Sequence, residues 1–235
     1  MKEKSAEGIV EEILITGILN GKYKAQTWLP PERELALEFG YSRPVVHKAI
    51  IRLESKGLLT IVPRQGVKVN DYREAGKLGL LESIYHLYHG GIDKHLNQAM
   101  LRFIQNNLEN MVTLIQLSHE ENRKSCHHRL TQHLFLESED VFLWLQNFAF
   151  YSGNVIYPML LNEFKIGILN VSQAVLHMGE PSTFRAYLGA VTELINVTYI
   201  PDREEVHHKV QRLFDYIEQN WLVEGETHEI VKSST

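Results

Sequence analysis

The apolar positions of residues 1–70 change spacing three times. Ile9, Val10, Ile13, Leu14 and Ile18 recur at helical spacing, and Asn20-Gly21 supplies the stop. A polar stretch, Lys22 to Trp28, leads to Leu29-Pro30-Pro31-Glu32-Arg33-Glu34-Leu35-Ala36-Leu37-Glu38-Phe39-Gly40. Proline at a first helical position, acids in the first turn and glycine after the last turn predict a short helix with Leu35 and Phe39 on its inner face. A third helix starts at Ser42, a residue suited to the N-cap, tolerates Pro44 in its first turn, and ends at Gly57. Val46, Ala49, Ile50 and Leu53 form its inward stripe, leaving Arg43, His47, Lys48 and Arg52 outward or flanking. The period then becomes that of a strand. Leu58–Val62 and Val67–Val69 are rich in β-branched residues, and Pro63-Arg64-Gln65-Gly66 turns between them. Two helices joined by a tight turn, the second with a basic leading end, and then a hairpin tipped by Arg64, predict a winged helix-turn-helix.

The rest of the chain reads as helix throughout. A helix begins near Lys77 and breaks at Gly90-Gly91, and further helices are expected at 92–118, 121–136, 138–151, 154–178, 181–197 and 202–223. The expected fold is mainly α: a DNA-binding domain of three helices and a wing over 1–70, a linker at 71–78, an all-helical bundle over 79–225, and a polar tail over 226–235.

Taken over the whole chain, the net charge of −5 opposes nucleic-acid binding. Divided, it does not: residues 1–70 hold 11 Lys+Arg against 8 Asp+Glu, while residues 71–235 hold 13 against 21. Within 42–69, Arg43, Lys48, Arg52, Lys56, Arg64 and Lys68 face only Glu54. A basic face of this kind attracts phosphates while the acidic remainder discourages random binding. A single cysteine, Cys126, excludes an internal disulfide framework. No apolar run approaches the roughly 20 residues that span a bilayer, and acids stand where a secretory signal would be apolar. A cytoplasmic protein without a membrane partner is expected.

Leu29-Pro30-Pro31-Glu32-Arg33-Glu34-Leu35-Ala36, Tyr41-Ser42-Arg43-Pro44-Val45-Val46, Leu53-Glu54-Ser55-Lys56-Gly57-Leu58-Leu59 and Arg64-Gln65-Gly66 resemble the DNA-binding domain of the GntR family. The second half is similar to the FadR subfamily at Lys68–Tyr72, at Ala149-Phe150-Tyr151-Ser152-Gly153-Asn154 and at Ile156-Tyr157. The resemblance implies a homodimer on a palindromic double-stranded DNA operator. It implies that Arg33 and Arg43 contact DNA, that Ser42 bonds a phosphate or base edge, and that Arg64, Gln65 and Gly66 form the wing tip. His47 stands where the family often has arginine, and Pro44 where FadR-like proteins have a hydroxyl, so the operator is not transferable.

Many FadR-subfamily domains hold a metal with one Asp and three His. The corresponding positions here fall at Leu145, Ala186 and Asp215, and none is a histidine. The adjacent pairs His127-His128 and His207-His208 point about 100° apart on a helix and cannot chelate together. No metal and no cofactor are expected. Loss of imidazoles makes the expected centre more apolar, which suits the acyl-coenzyme A effector that the resemblance implies. Arg102 would meet its anionic part or pair with Asp215, and Asn154, Tyr157, Asn162 and Trp221 are further candidates for the lining, beside Leu145 and Ala186. A regulator whose helical domain only dimerises or docks a protein, with no small ligand, stays open as the alternative. No Gly-x-Ser-x-Gly, phosphate-cradling loop or metal tetrad points to an enzyme.

Overall fold

In a computed structural model, which describes residues 5–87, 94–133, 137–196, 198 and 200–221, helix α1 runs Ala6–Leu19, and Ser5 caps it by accepting a hydrogen bond from the Gly8 amide at 3.2 Å. Helix α2 is Glu32–Phe39, entered through Pro31 and closed by Gly40 in the left-handed conformation. Helix α3 is Arg43–Ser55, with Ser42 at its N-cap and proline in its first turn. Strand β1, Leu59–Val62, pairs antiparallel with β2, Gly66–Val69, in the register Leu59↔Val69 to Val62↔Gly66.

The core beneath these elements is the stripe legible in the sequence. Leu14, Leu35, Val46, Ala49, Ile50, Leu53 and Leu58 have no exposed surface. Full burial of each large aliphatic side chain contributes about 1.5–3 kcal/mol. Phe39, expected on the buried face of α2, is only half-buried. The polar stretch before α2 has a role that its composition hides. The Gln26 amide bonds the Val69 carbonyl and the Leu29 amide the Val67 carbonyl, while the Val69 amide bonds the Thr27 carbonyl, each at 2.8 Å. Residues 26–29 thus cover the free edge of β2, and Trp28 bridges to Lys68.

The stretch expected as a linker, 71–78, carries the one-turn helix α4 (Tyr72–Ala75), capped by Asp71, and leads into α5 (Leu78–Leu87). Helix α5 packs on α1. Glu11 of α1, buried, receives Lys56, which follows α3 at its C-cap, and lies 3.9 Å from Arg52, and Lys56 also bonds Ser83 of α5. The chain divides into two compact units, Met1–Leu87 and Tyr88–Thr235, with α5 in the first.

The second unit is helical among its described residues: α6 (Lys94–Gln116), α7 (Glu120–Leu130), α8 (Ser138–Tyr151), α9 (Ile156–Glu163), α10 (Lys165–Met178), α11 (Pro181–Thr192), a 3-10 turn (Glu193–Ile195) and α12 (Arg203–Trp221). Helices α6, α8, α10 and α12 pack side by side, with α11 against α12. Leu108, Met111, Trp144, Phe148, Phe184, Leu188 and Val210 fill the centre, and the Trp144 indole donates to Thr192 Oγ1 at 2.9 Å. One long helix was expected over 154–178; instead α9 and α10 are separate, joined at Phe164, whose backbone at ψ 0 leaves the regular helical conformation. The helix expected to 197 gives way to the 3-10 turn at Glu193. The helix expected over 121–136 ends at Leu130, with Thr131 at its C-cap. The expected break at Gly90-Gly91 and the tail over 226–235 lie outside the described residues.

Candidate nucleic-acid interface

The first turn of α3, the start of α2 and the wing tip carry the side chains expected to meet DNA. Because the inward stripe faces α1 and α2, rotation by about 100° per residue sends Arg43 and His47, one turn apart, to the outer side. Their side chains are 72% and 50% exposed. Ser42 and Pro44 beside them are exposed, and the Ser42 hydroxyl makes no bond to the helix amides it could cap. Arg33 is exposed on α2, and Arg64, Gln65 and Gly66 are exposed at the hairpin tip.

One carboxylate organises the leading end of α3. Glu32 Oε2 accepts from Arg43 Nε at 3.1 Å, and its Oε1 accepts from His47 Nδ1 at 2.7 Å. Partial burial raises the Glu32 carboxyl, but the hydrogen bonds from His47 and Arg43 outweigh it and the net shift is downward. Other cations of the expected basic face are also paired. Lys48 meets Glu7 at 3.2 Å, and Arg52 and Lys56 share Glu11. Among the described residues Arg33, Arg64 and Lys68 make no ion pair. The Lys48–Glu7 pair, with its cation 65% exposed, is worth about 0–1 kcal/mol, so a phosphate can displace its acid. Glu54, the lone acid of 42–69, holds β1 by accepting from the Ile61 amide at 2.8 Å.

The wing tip bears a backbone cost. The Gln65 amide bonds the Val62 carbonyl at 3.1 Å, so Pro63 and Arg64 are the middle of a tight turn. Arg64 has φ +65, a conformation that glycine or asparagine usually supplies at this position.

The candidates in the helical unit are not brought together. Leu145 and Trp221 are buried and Tyr157 is half-buried, but Arg102, Asn154, Asn162, Ala186 and Asp215 are exposed. The expectation that Ala186 shares the bundle centre with Leu145 is corrected. On α11 the inward positions are Phe184, Leu188 and Val191, and residue 186 lies about 200° round the helix from Phe184. The expected pairing of Arg102 with Asp215 as a buried charge is corrected likewise: Asp215 instead accepts from Gln211 at 2.6 Å. Asn154 accepts from the Ile156 amide at 3.0 Å, and Asn162 from Gln146 at 2.8 Å. Two clefts of about 440 and 430 Å³ open on this unit, and none of the eight candidates lines either. Among the described residues no three His, Cys, Asp or Glu side chains are placed to hold a metal. Burial pushes the Cys126 thiol up to about 12. No described helix is long and apolar enough to cross a membrane.

Sequence reasoning missed Glu32. Its place in Pro-Pro-Glu-Arg signals only a helix start; the four-residue spacing of Arg43 and His47 shows that one acid can serve both, but not which acid.

A basic-led helix packed behind a shorter one, with an edge-covered hairpin beside them, defines a winged-helix DNA-binding unit, here joined to a helical unit. Residues 7–69 match the family described as bacterial regulatory proteins, gntR family. The chain is 30% identical over 170 residues to the fatty acid metabolism regulator protein of Salmonella paratyphi B, and over 171 residues to that of Proteus mirabilis. Each match covers 70% of both chains. A solved structure of Lar, described as controlling expression of the Listeria monocytogenes agr system, superposes with a TM-score of 0.57 over 94% of this chain and 99% of that one, at 16% identity. That likeness concerns the fold. The chain belongs to the GntR family, as a transcription regulator of the FadR type, and members of this family are DNA-binding regulators rather than enzymes.

Proposed function

We propose that the protein binds a palindromic operator as a homodimer, with α3 in the major groove and the wing in the groove beside it, and that a small, partly apolar acid modulates this binding. The observation that carries the reading is Arg43: first residue of α3, largely exposed, and held by Glu32 through Nε, the inner nitrogen of its guanidinium. A guanidinium fork satisfies guanine N7 and O6 together, worth about 1–3 kcal/mol of discrimination. Arg33, Ser42, Pro44, His47 and Gln65 complete the contact surface, with Gly66 letting the tip approach closely. An arginine kept at positive φ on the wing tip supports a role for its side chain, because the position costs backbone energy. A dimer is required because one winged helix alone buries too little surface for tight specific binding.

The effector reading rests on relatives named as fatty acid metabolism regulators, and we assign effector binding and dimerisation to the helical segment 79–225. A fatty acyl-coenzyme A is the proposed ligand. Leu145, Tyr157 and Trp221 would contact its chain, while Arg102, Asn154, Asn162, Ala186 and Asp215 would meet it only through rearrangement of the helices. An effector shifts DNA affinity only by its differential affinity for two states of the protein. The protein acts in the cytoplasm, beside its DNA.

The test begins with a duplex selected by the full-length chain from a randomised library, titrated at fixed salt. Arg43→Ala weakens binding by at least about thirtyfold, from about 1 kcal/mol or more lost in each half-site, and leaves the dimer intact in sedimentation. Unchanged affinity rejects the docking. Native mass spectrometry and thermal shift against acyl-coenzyme A thioesters test the effector: no binding and no shift across chain lengths leaves the ligand-free alternative in its place.

A further inference from the structure

We infer that Glu32 is a positioning residue for DNA reading: one carboxylate, gripping Arg43 and His47 at once, presets both side chains for the duplex. The inference rests on the docking proposed above. An acid on a DNA-facing surface is at first sight unfavourable, because phosphates repel it. Its geometry gives it a use.

The Glu32 side chain is 20% exposed, at the first residue of α2, and its own motion is limited by that packing. Each oxygen takes a different donor: Oε2 takes Arg43 Nε at 3.1 Å and Oε1 takes His47 Nδ1 at 2.7 Å. An ionised carboxylate only accepts, so the hydrogen of His47 stands on Nδ1 and Nε2 is turned from the bond. The bond to Arg43 uses Nε, the inner nitrogen, so the terminal pair of the guanidinium stays free to fork onto a base. A bond to a terminal nitrogen would have occupied the fork. A free arginine and a free histidine must be ordered when DNA arrives, and ordering each costs affinity. Held against α2 by Glu32, both have part of that ordering in place beforehand. Their shared acid also ties the two side chains together, so that a shift in one is felt by the other.

The test sets electrostatics against positioning, because the two predict opposite signs. The full-length chain is titrated with the selected duplex and with a scrambled duplex of equal length, at fixed salt. In Glu32→Gln one of the two accepting oxygens becomes an NH2 group, which Arg43 cannot use and which meets His47 only in its opposite ring tautomer. The selected duplex is then bound about tenfold more weakly, from two half-sites each losing part of the ordering, while the scrambled duplex is bound equally or more tightly because a negative charge has gone. Glu32→Asp keeps the charge but is one methylene shorter, and it also loses discrimination while leaving scrambled-duplex affinity unchanged. If Glu32→Gln tightens both duplexes, Glu32 is only a repelling charge. If it weakens both equally, together with lower thermal stability, its role is confined to the fold. If Glu32→Asp keeps full discrimination, the two-point grip is wrong. Each of these overturns the inference. Arg43→Ala on the same duplexes separates the two levels of the argument: should it too keep full discrimination, the docking itself fails, whereas its loss of discrimination beside an unaffected Glu32→Gln removes only the role of Glu32.

Discussion

At Gly57 two parts of the DNA-binding unit come close together, and its substitution measures that approach. It follows α3 with φ +78, and its carbonyl accepts from Asn70 Nδ2 at 3.0 Å. The backbone at the end of α4 lies directly over it, and a Cβ on Gly57 would stand 2.0 Å from the Ala75 carbonyl oxygen and 2.9 Å from its carbon. Two penalties follow from Gly57→Ala. The left-handed conformation costs about 1–2 kcal/mol for a residue with a Cβ. Relieving a contact more than an ångström too short against main chain, which cannot swing aside as a side chain does, costs about 1–3 kcal/mol more. Gly40→Ala supplies the control. Its φ is +73, but nothing lies within 4 Å of its Cβ position, so it bears only the first penalty. Native-state hydrogen exchange of the α3 and hairpin amides, which reports the free energy of opening locally, is the assay. Gly57→Ala loses about 2–5 kcal/mol of protection and Gly40→Ala about 1–2, and their difference is the close contact. Equal losses in the two variants would refute the reasoning.

Two further outcomes concern the helical unit. Thr192→Val keeps the shape but removes the hydroxyl that accepts from the buried Trp144 indole N–H, and loss of that bond costs about 0.5–1.5 kcal/mol; urea unfolding followed by tryptophan fluorescence checks it, and unchanged stability would mean that the bond contributes nothing. His133 has its pKa lowered chiefly by burial, against a smaller opposing pull from Asp140, and its Nε2 lies 2.8 Å from the Asn147 amide nitrogen, an arrangement that needs the neutral ring. Its stabilising contribution is therefore complete above the usual value of about 6.5 and drains away as pH falls below it. Thermal melts from neutral pH downward should show a steeper decline for wild type than for His133→Gln, and parallel declines would count against it.

How far the chain could be read in advance depended on how far apart the deciding residues stand. The stripe Val46, Ala49, Ile50 and Leu53 lies within one helix, and its burial follows from a period of 3.6 residues against an apolar neighbour. The two strands of the wing and the turn at Pro63-Arg64 were equally local. Residues 26–29 were not, because their role as an edge partner is made by β2, some forty residues on, and nothing in a polar stretch announces a backbone pairing. In the helical unit, family spacing placed Ala186 and Asp215 at a common centre. The phase of α11 and α12 is set by what each buries, and that phase turned both outward.

Local propensity and periodicity were enough to establish the order of elements, the outward placement of Arg43 and His47, and an exposed basic wing tip, because each depends on neighbours within a few turns of chain. Tertiary structure alone decided which acids meet those cations. Glu32, Glu7 and Glu11 are separated from their partners by 11 to 45 residues, and only the packing of α1 and α2 on α3 brings them within bonding distance. An ion pair acts over a few ångströms, and a sequence carries no measure of such distances until its core has closed.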